Sequence, residues 1–168
     1  MHSAIRELVS STLGSLLYKP QLNRTLDLGC GSGDGGELLR PYTRYLVAVD
    51  LDPAKVEAAR RRKVYSEVHL GDLRAWRLDG YDSVAIFDAL EHIPKEEGEE
   101  LLDRLGNRVV ILTTPWWSFE PLEGSGHLCL WSPQELQDRG FKTWTRCFLP
   151  DFFMFLAYGG ITLGVRGL

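Results

Sequence analysis

Apolar residues recur with two different periods along the chain. Ile5, Leu8, Val9, Leu13, Leu16 and Leu17 follow three- and four-residue intervals. That spacing predicts an amphipathic helix over residues 1–20, packed on the domain or over its ligand mouth. From residue 24 onward the pattern alternates. RTLDL (24–28), YLVAVD (45–50), EVHL (67–70), SVAIF (83–87) and RVVILTT (108–114) are short apolar runs of strand length. Helical stretches separate most of them: GGELLRPY after the first, PAKVEAARRRK after the second, and KEEGEELLDRLG after the fourth, with Leu101, Leu102 and Leu105 on one face. Only about ten residues, chiefly GDLRAWRLDG, separate the third run from the fourth. Asp52 is placed to cap the second helix, with Pro53 in its first turn, and Ser132 and Glu135 form a capping box for a short helix ending near Gly140. FKTWTRCFL and ITLGVRGL read as two closing strands joined by the aromatic connector PDFFMFLAYGG. They lie too close for a helical crossover, so an antiparallel pair is expected. Strands alternating with helices predict an α/β fold with a parallel sheet covered on both faces, and no repeat or linker divides residues 1–168, so one domain is expected.

Composition narrows the partners. A formal net charge of −4 argues against nonspecific binding to nucleic acid or anionic membranes. The basic run Arg60, Arg61, Arg62 and Lys63 falls in the last turn of a helix, where positive charge offsets the helix dipole. Arg6 and Glu7 interrupt the N-terminal apolar pattern, unlike a signal peptide, and no stretch has the length to span a bilayer. Three cysteines without a paired spacing suit a reducing compartment, so a cytoplasmic location is expected. His127 and Cys129 stand two apart, as metal ligands can, but no second pair accompanies them and no metal site is expected.

The candidate chemistry sits where the first strand ends. LDLGCGSGDGG (26–36) holds five glycines in eleven residues. Gly29 suits a tight turn, Gly31 allows close ligand approach, and Gly33 leads toward the helix. In a parallel sheet this turn lies at the carboxyl ends of the strands, where ligands bind. Asp50 ends the next strand, 21 residues after Gly29. A carboxylate there can accept both hydroxyl protons of a ribose. The glycine register is G-x-G-x-G, whereas dinucleotide loops read G-x-G-x-x-G. Asp34 follows, and its carboxylate would repel a pyrophosphate. A cationic ligand without phosphates fits better.

LDLGCGSG, VAVDLDP, GDL and FDALEHIP, in this order, resemble the class I S-adenosylmethionine-dependent methyltransferases, and WSPQEL with the following GF resembles their small-molecule branch. The resemblance implies a Rossmann-like three-layer sandwich with a seven-stranded, mostly parallel sheet, its last strand inserted antiparallel between the fifth and sixth. It implies S-adenosylmethionine as methyl donor and S-adenosylhomocysteine as product. Asp27 and the backbone of Gly29, Cys30, Gly31 and Gly33 would hold the methionine portion. Asp50 would bind the ribose, Leu51 would flank the adenine, Asp72 and Leu73 would meet the adenine edge, and Asp88 would lie near the methyl group.

The acceptor end is expected after the fourth and fifth strands. Glu91, His92 and His127 are candidate bases for an acceptor that arrives protonated; His92 has a structural alternative, packing or capping near the fourth helix. About seventeen residues of TTPWWSFEPLEGSGHLCLW show no clear helix or strand, and Trp116 and Trp117 within it can wall an acceptor pocket or lid the core. Phe152, Phe153, Phe155 and Tyr158 are expected to close the core between the last strands, with a face toward a lipid-like acceptor as the alternative. FDAL stands where the family's amino-methylating nucleic-acid enzymes carry Asn/Asp-Pro-Pro-Tyr/Phe, so a small-molecule acceptor is expected rather than a nucleic acid. The chain is short, so a homodimer or partner protein can complete the pocket. Two other readings remain: a non-catalytic cofactor-binding subunit, and a nicotinamide oxidoreductase, which Asp34 disfavours.

Overall fold

The computed structural model describes residues 3–17, 21–117, 126–147 and 160–167. In chain order its elements are α1 (Ser3–Leu16), β1 (Leu22–Leu28), α2 (Asp34–Leu39), β2 (Thr43–Asp50), α3 (Pro53–Arg62), β3 (Glu67–Leu70), β4 (Ser83–Phe87), α4 (Lys95–Arg104), β5 (Val109–Trp117), α5 (Pro133–Asp138), β6 (Lys142–Cys147) and β7 (Gly160–Arg166). Single 3-10 turns follow α2 at Arg40–Tyr42 and β4 at Leu90–His92. The seven strands form one sheet in the order β3-β2-β1-β4-β5-β7-β6. All pairs from β3 to β5 are parallel, and β7 runs antiparallel to both β5 and β6. The closing pair and the insertion of the last strand are therefore as expected.

The two-residue period of the strands explains the layers. In β4, Val84 and Ile86 face one cluster, shared with Leu101, Leu102 and Leu105 of the α4 region and Leu136 of α5. Ala85 and Phe87 face the other, shared with Val9 and Leu13 of α1 and Leu38 and Leu39 of α2. A strand buried on both faces leaves no polar alternation, which is why these segments read as continuous apolar runs. The predicted caps are present: Asp52 accepts from the Ala54 amide at 2.8 Å, and Ser132 and Glu135 make the reciprocal capping box.

Several boundaries differ from the sequence expectation. β1 and β2 begin two residues earlier, because their first turns pair along the sheet from Leu22↔Thr43. The helix expected over GGELLRPY ends at Leu39, and Pro41, lacking an amide hydrogen, sits in the 3-10 turn that follows. β5 continues through Pro115 to Trp117 because β7 pairs with it that far, so the irregular segment starts later than expected. The aromatic residues Phe152, Phe153, Phe155 and Tyr158 lie outside the described residues. No described helix is long and apolar enough to cross a membrane.

The short crossover from β3 to β4 has no helix. Side chains from beyond it hold its backbone instead. Arg104 donates to the carbonyls of Arg74 and Trp76, and Arg108 donates to those of Tyr81 (3.0 Å) and Leu78 (3.2 Å). Leu13 of α1 is fully buried. Leu13→Ala should therefore cost about 2–5 kcal/mol in urea denaturation, as a core truncation does; an unchanged midpoint would mean that α1 is not docked.

Candidate functional site

Parallel pairing brings the ends of β1, β2 and β4 to one edge of the sheet, where they open on a cleft of about 650 Å³. The chain leaves β1 through Gly29 (φ 73°) and Gly31 (φ 54°), both left-handed. At Gly29 an added Cβ would stand 2.6 Å from the Ala89 side chain, whereas at Gly31 it would meet nothing within 4 Å. The first glycine thus closes the turn against the β4 side, and the second leaves its backbone open to a ligand. Asp50, 8% exposed, pins the loop: Oδ2 accepts from the Gly31 amide at 2.7 Å and Oδ1 accepts from the Asp52 amide at 2.9 Å.

Asp27 is 1% exposed at the floor of the cleft. Its Oδ2 accepts from the Tyr65 hydroxyl at 2.6 Å, and its Oδ1 is buried with no hydrogen-bond partner among the described residues. Burial pushes its pKa up to about 7, against the Tyr65 hydrogen bond and with help from the nearby Asp50 charge. An orphaned, desolvated carboxylate oxygen facing a cleft is a place for a cation or a strong donor. Tyr65 had no motif to announce it. It follows α3, packs on Gly36 where a Cβ would come within 2.3 Å, and delivers its hydroxyl across 38 residues of sequence. Gly35 similarly yields its Cβ space to Phe87, which lines the cleft.

Cys30, Leu51, Asp72, Leu73, Asp88 and His92 also line the cleft. Leu51 is 65% exposed on its rim. The Asp72 carboxylate is gripped by the Arg74 guanidinium, with Nη2 at 2.5 Å from Oδ2, and is held below its usual range mainly by that contact. Burial raises the Cys30 thiol far above its ordinary value, so this is not a thiolate site. Gly33 is not on the cleft wall; with φ 93° it is the N-cap of α2 and lies under Arg62 and Tyr65. Arg62 was expected only to offset a helix dipole. It instead reaches back to Asp34 (2.5 Å), Glu37 (2.6 Å) and the Ser32 carbonyl (2.6 Å), and Arg6 of α1 meets Glu37 at 2.7 Å. Asp34 is therefore half of an ion pair, and its repulsion of a pyrophosphate is weaker than the sequence suggested.

At the other end of the cleft, Asp88 holds a left-handed φ of 48°, a backbone strain of about 1–3 kcal/mol for a residue with a side chain. Its amide donates to the Thr113 carbonyl (3.0 Å), and its Oδ1 accepts from the Thr113 hydroxyl (2.7 Å). Burial raises its pKa, opposed by that hydrogen bond. Glu91 is 1% exposed; burial, then the Asp88 charge, push it up to about 8. Its backbone carbonyl accepts from the amides of Leu128 (2.7 Å) and Cys129 (3.4 Å), so residues 126–131 are zipped onto the turn after β4. His92 Nδ1 lies 2.8 Å from the Gly126 carbonyl, which fixes the proton on Nδ1. His127 thereby comes to 5.0 Å from His92, ring centre to ring centre, and burial, then the neighbouring His92, lower its pKa. Cys129 Sγ lies 3.9 Å from the Leu90 carbonyl and 3.5 Å from that of Ile93.

Residues 25–109 match the profile of a family described as methyltransferase domain. Over 87 residues the chain is 32% identical to a ubiquinone biosynthesis O-methyltransferase of Xanthomonas axonopodis pv. citri (strain 306), covering 48% of this chain and 36% of that relative. The match thus spans about a third of the curated relative's length. Among solved structures, magnesium protoporphyrin IX methyltransferase from Synechocystis PCC 6803 with bound S-adenosylhomocysteine superposes with a TM-score of 0.69 at 21% identity, over 97% of this chain and 82% of that one. An S-adenosylmethionine-dependent methyltransferase from Clostridium acetobutylicum ATCC 824 gives 0.64 at 12% identity, over 96% and 89%. These likenesses place the fold.

Asp27 and Glu91 bind their protons at higher pH in the fold than in the unfolded chain, whose ordinary values are 3.8 and 4.5. The unliganded fold should therefore lose stability as pH rises through about 4 to 8, the window in which it holds protons the unfolded chain has released. Asp27→Asn should melt higher than the parent at about pH 8 and close to it at about pH 4. An identical difference at both pH values would show that the Asp27 charge is not desolvated.

Proposed function

Because the chain belongs to the methyltransferase-domain family, matched over residues 25–109, we propose that it transfers a methyl group from S-adenosylmethionine to a small-molecule acceptor by in-line displacement. The observation that carries this reading is the orphaned Oδ1 of Asp27, buried on the same cleft as the ribose-suited carboxylate of Asp50. That pair calls for a ligand with a cation at one end and a diol at the other. We read residues 1–168 as one unit of this function, since all seven strands join one sheet.

When bound, S-adenosylmethionine supplies a methyl group made electrophilic by a positive sulfonium. The chain's own residues orient it. Asp27 takes the amino-acid ammonium, and the backbone of Gly29, Cys30 and Gly31 follows the methionine portion. Asp50 accepts from the ribose hydroxyls while remaining tied to the loop amides. Leu51 and Leu73 flank the adenine. Asp72 faces the adenine edge, with Arg74 holding its carboxylate in place. Gly33 supports the loop from behind. Most of the rate is then positioning of two reactants in contact. At the acceptor end stand Asp88, His92 and His127, and the two imidazoles suit a hydroxyl acceptor. Leu128 is 59% exposed on the rim, and with Leu51 it gains burial when an acceptor with an apolar body, or a second chain, covers the mouth. The free thiols of Cys30 and Cys129 suit a reducing, cytoplasmic setting.

Asp50→Ala should weaken S-adenosylhomocysteine binding by about ten- to a hundredfold in calorimetry, since hydrogen bonds to a charged group are worth about 1.5–3 kcal/mol each. Tight NAD binding with no response to S-adenosylhomocysteine would sink the reading. A cation at Asp27 draws its pKa back down, so S-adenosylmethionine binding near pH 6, about a unit below the Asp27 value, should release close to one proton. The binding enthalpy should then scale with the ionisation enthalpy of the buffer, and Asp27→Asn should abolish that dependence. Product formation from a metabolite pool with labelled methyl donor separates an enzyme from a silent binding subunit.

A further inference from the structure

Three potential metal ligands meet beside the cleft without any role at its donor end. One ligand atom from each of Glu91, His92 and His127 lies within 4.8 Å of the others. We propose that they bind a divalent transition-metal ion, with open coordination positions turned toward the cleft for an oxygen of the acceptor. For where the acceptor comes, the proposal rests on the methyl-transfer reading; for the ion itself, it stands on the geometry alone.

The donor set is two imidazoles and one carboxylate. Such a set suits ions of the Mn²⁺ to Zn²⁺ range, while Mg²⁺ and Ca²⁺ favour oxygen cages. Three donors around one ion at about 2.1 Å each, at tetrahedral to trigonal angles, stand about 3.4–3.6 Å apart. The observed set therefore closes on an ion with side-chain movements of about an ångström. Orientation is already provided. Nδ1 of His92 donates to the Gly126 carbonyl, leaving the Nε2 lone pair for a metal, as second-shell hydrogen bonds do at metal sites. The Thr114 hydroxyl donates to Glu91 Oε2 at 3.2 Å and the Glu91 carbonyl fastens residues 128 and 129, so carboxylate and His127 are placed by the same turn.

Burial supplies an independent argument. A carboxylate 1% exposed, with the Asp88 carboxylate nearby and the neutral Thr114 hydroxyl as its side-chain hydrogen-bond donor among the described residues, lacks the compensation that buried charge requires. A divalent ion provides it. His92 and Asp88 also line the cleft, so an ion held here faces the side from which an acceptor enters. A hydroxyl on such an ion loses its proton to solvent more readily, which would prepare an oxygen acceptor without a dedicated base. Cys129 takes no part, its sulfur being committed to the Leu90 and Ile93 carbonyls.

The test uses the full chain without an affinity tag, dialysed against a chelator and titrated with Co²⁺ while visible absorbance is recorded, followed by competition with Zn²⁺. One Co²⁺ per chain is expected at micromolar concentration, with paramagnetic shifts on the His92 and His127 ring protons. Glu91→Gln and His127→Ala should each weaken binding by at least about tenfold. His69→Ala, which removes an exposed histidine paired with Glu67 on β3, should leave it unchanged. S-adenosylhomocysteine affinity, measured on every variant, reports whether the fold and the donor end survive. Absence of saturable binding in the parent, shifts elsewhere than His92 and His127, or binding lost with His69→Ala would overturn the site. So would binding that survives both Glu91→Gln and His127→Ala. Metal binding at these residues without S-adenosylhomocysteine binding would uphold the ion site and remove the methyl-transfer reading.

Discussion

Keeping carboxylates out of water at the ends of parallel strands is the constraint around which this molecule is arranged. Asp27, Asp50 and Asp88 end or follow β1, β2 and β4, and the pairing of those strands sets all three on one edge. Asp27 and Asp50 are almost fully enclosed, and Asp88 is partly so. Each has a different answer to the cost. Among the described residues Asp50 is satisfied by loop amides, Asp88 by Thr113, and Asp27 by Tyr65 on one oxygen only. The unmet remainder on Asp27 is what suits it to a ligand of positive charge in the reading proposed above.

Side chains do the work that longer elements would otherwise do. The β3–β4 crossover has no helix, yet guanidinium groups of Arg104 and Arg108 satisfy its carbonyls. Arg62 spans from the end of α3 to the start of α2, and Arg6 extends that chain of charge to α1. The guanidinium fork explains the choice of arginine, because several donors in one plane can serve several acceptors at once.

Much of this was readable beforehand. Strands buried on both faces leave continuous apolar runs, so the order of elements followed from β1, β2, β4 and β5 directly. The two caps, at Asp52 and Ser132, depend on neighbours two or three residues away and were equally plain. The glycine turn, Asp50 and the cleft-lining Asp72, Leu73 and Asp88 came from local motifs and a family likeness. What escaped was tertiary. Tyr65 carries no signature, since its meaning arises only when α3 sets it over Gly36. Arg62 read as one of a basic run offsetting a helix dipole. The meeting of Glu91 and His92 with His127 depends on amides of residues 128 and 129 closing on one carbonyl, a contact no spacing announces.

Gly35 and Gly36 give up their side-chain space to Phe87 and Tyr65, and that has a bearing on how such a chain can drift through evolution. Neither glycine can gain a methyl group while its aromatic neighbour stays in place, since the contacts would close to 2.4 and 2.3 Å. Among descendants of this sequence, substitution at either glycine should appear together with a smaller residue at its partner. A lineage that trades Tyr65 away also gives up its hydroxyl on Asp27, so the second pair binds the history of a packing contact to that of a charge.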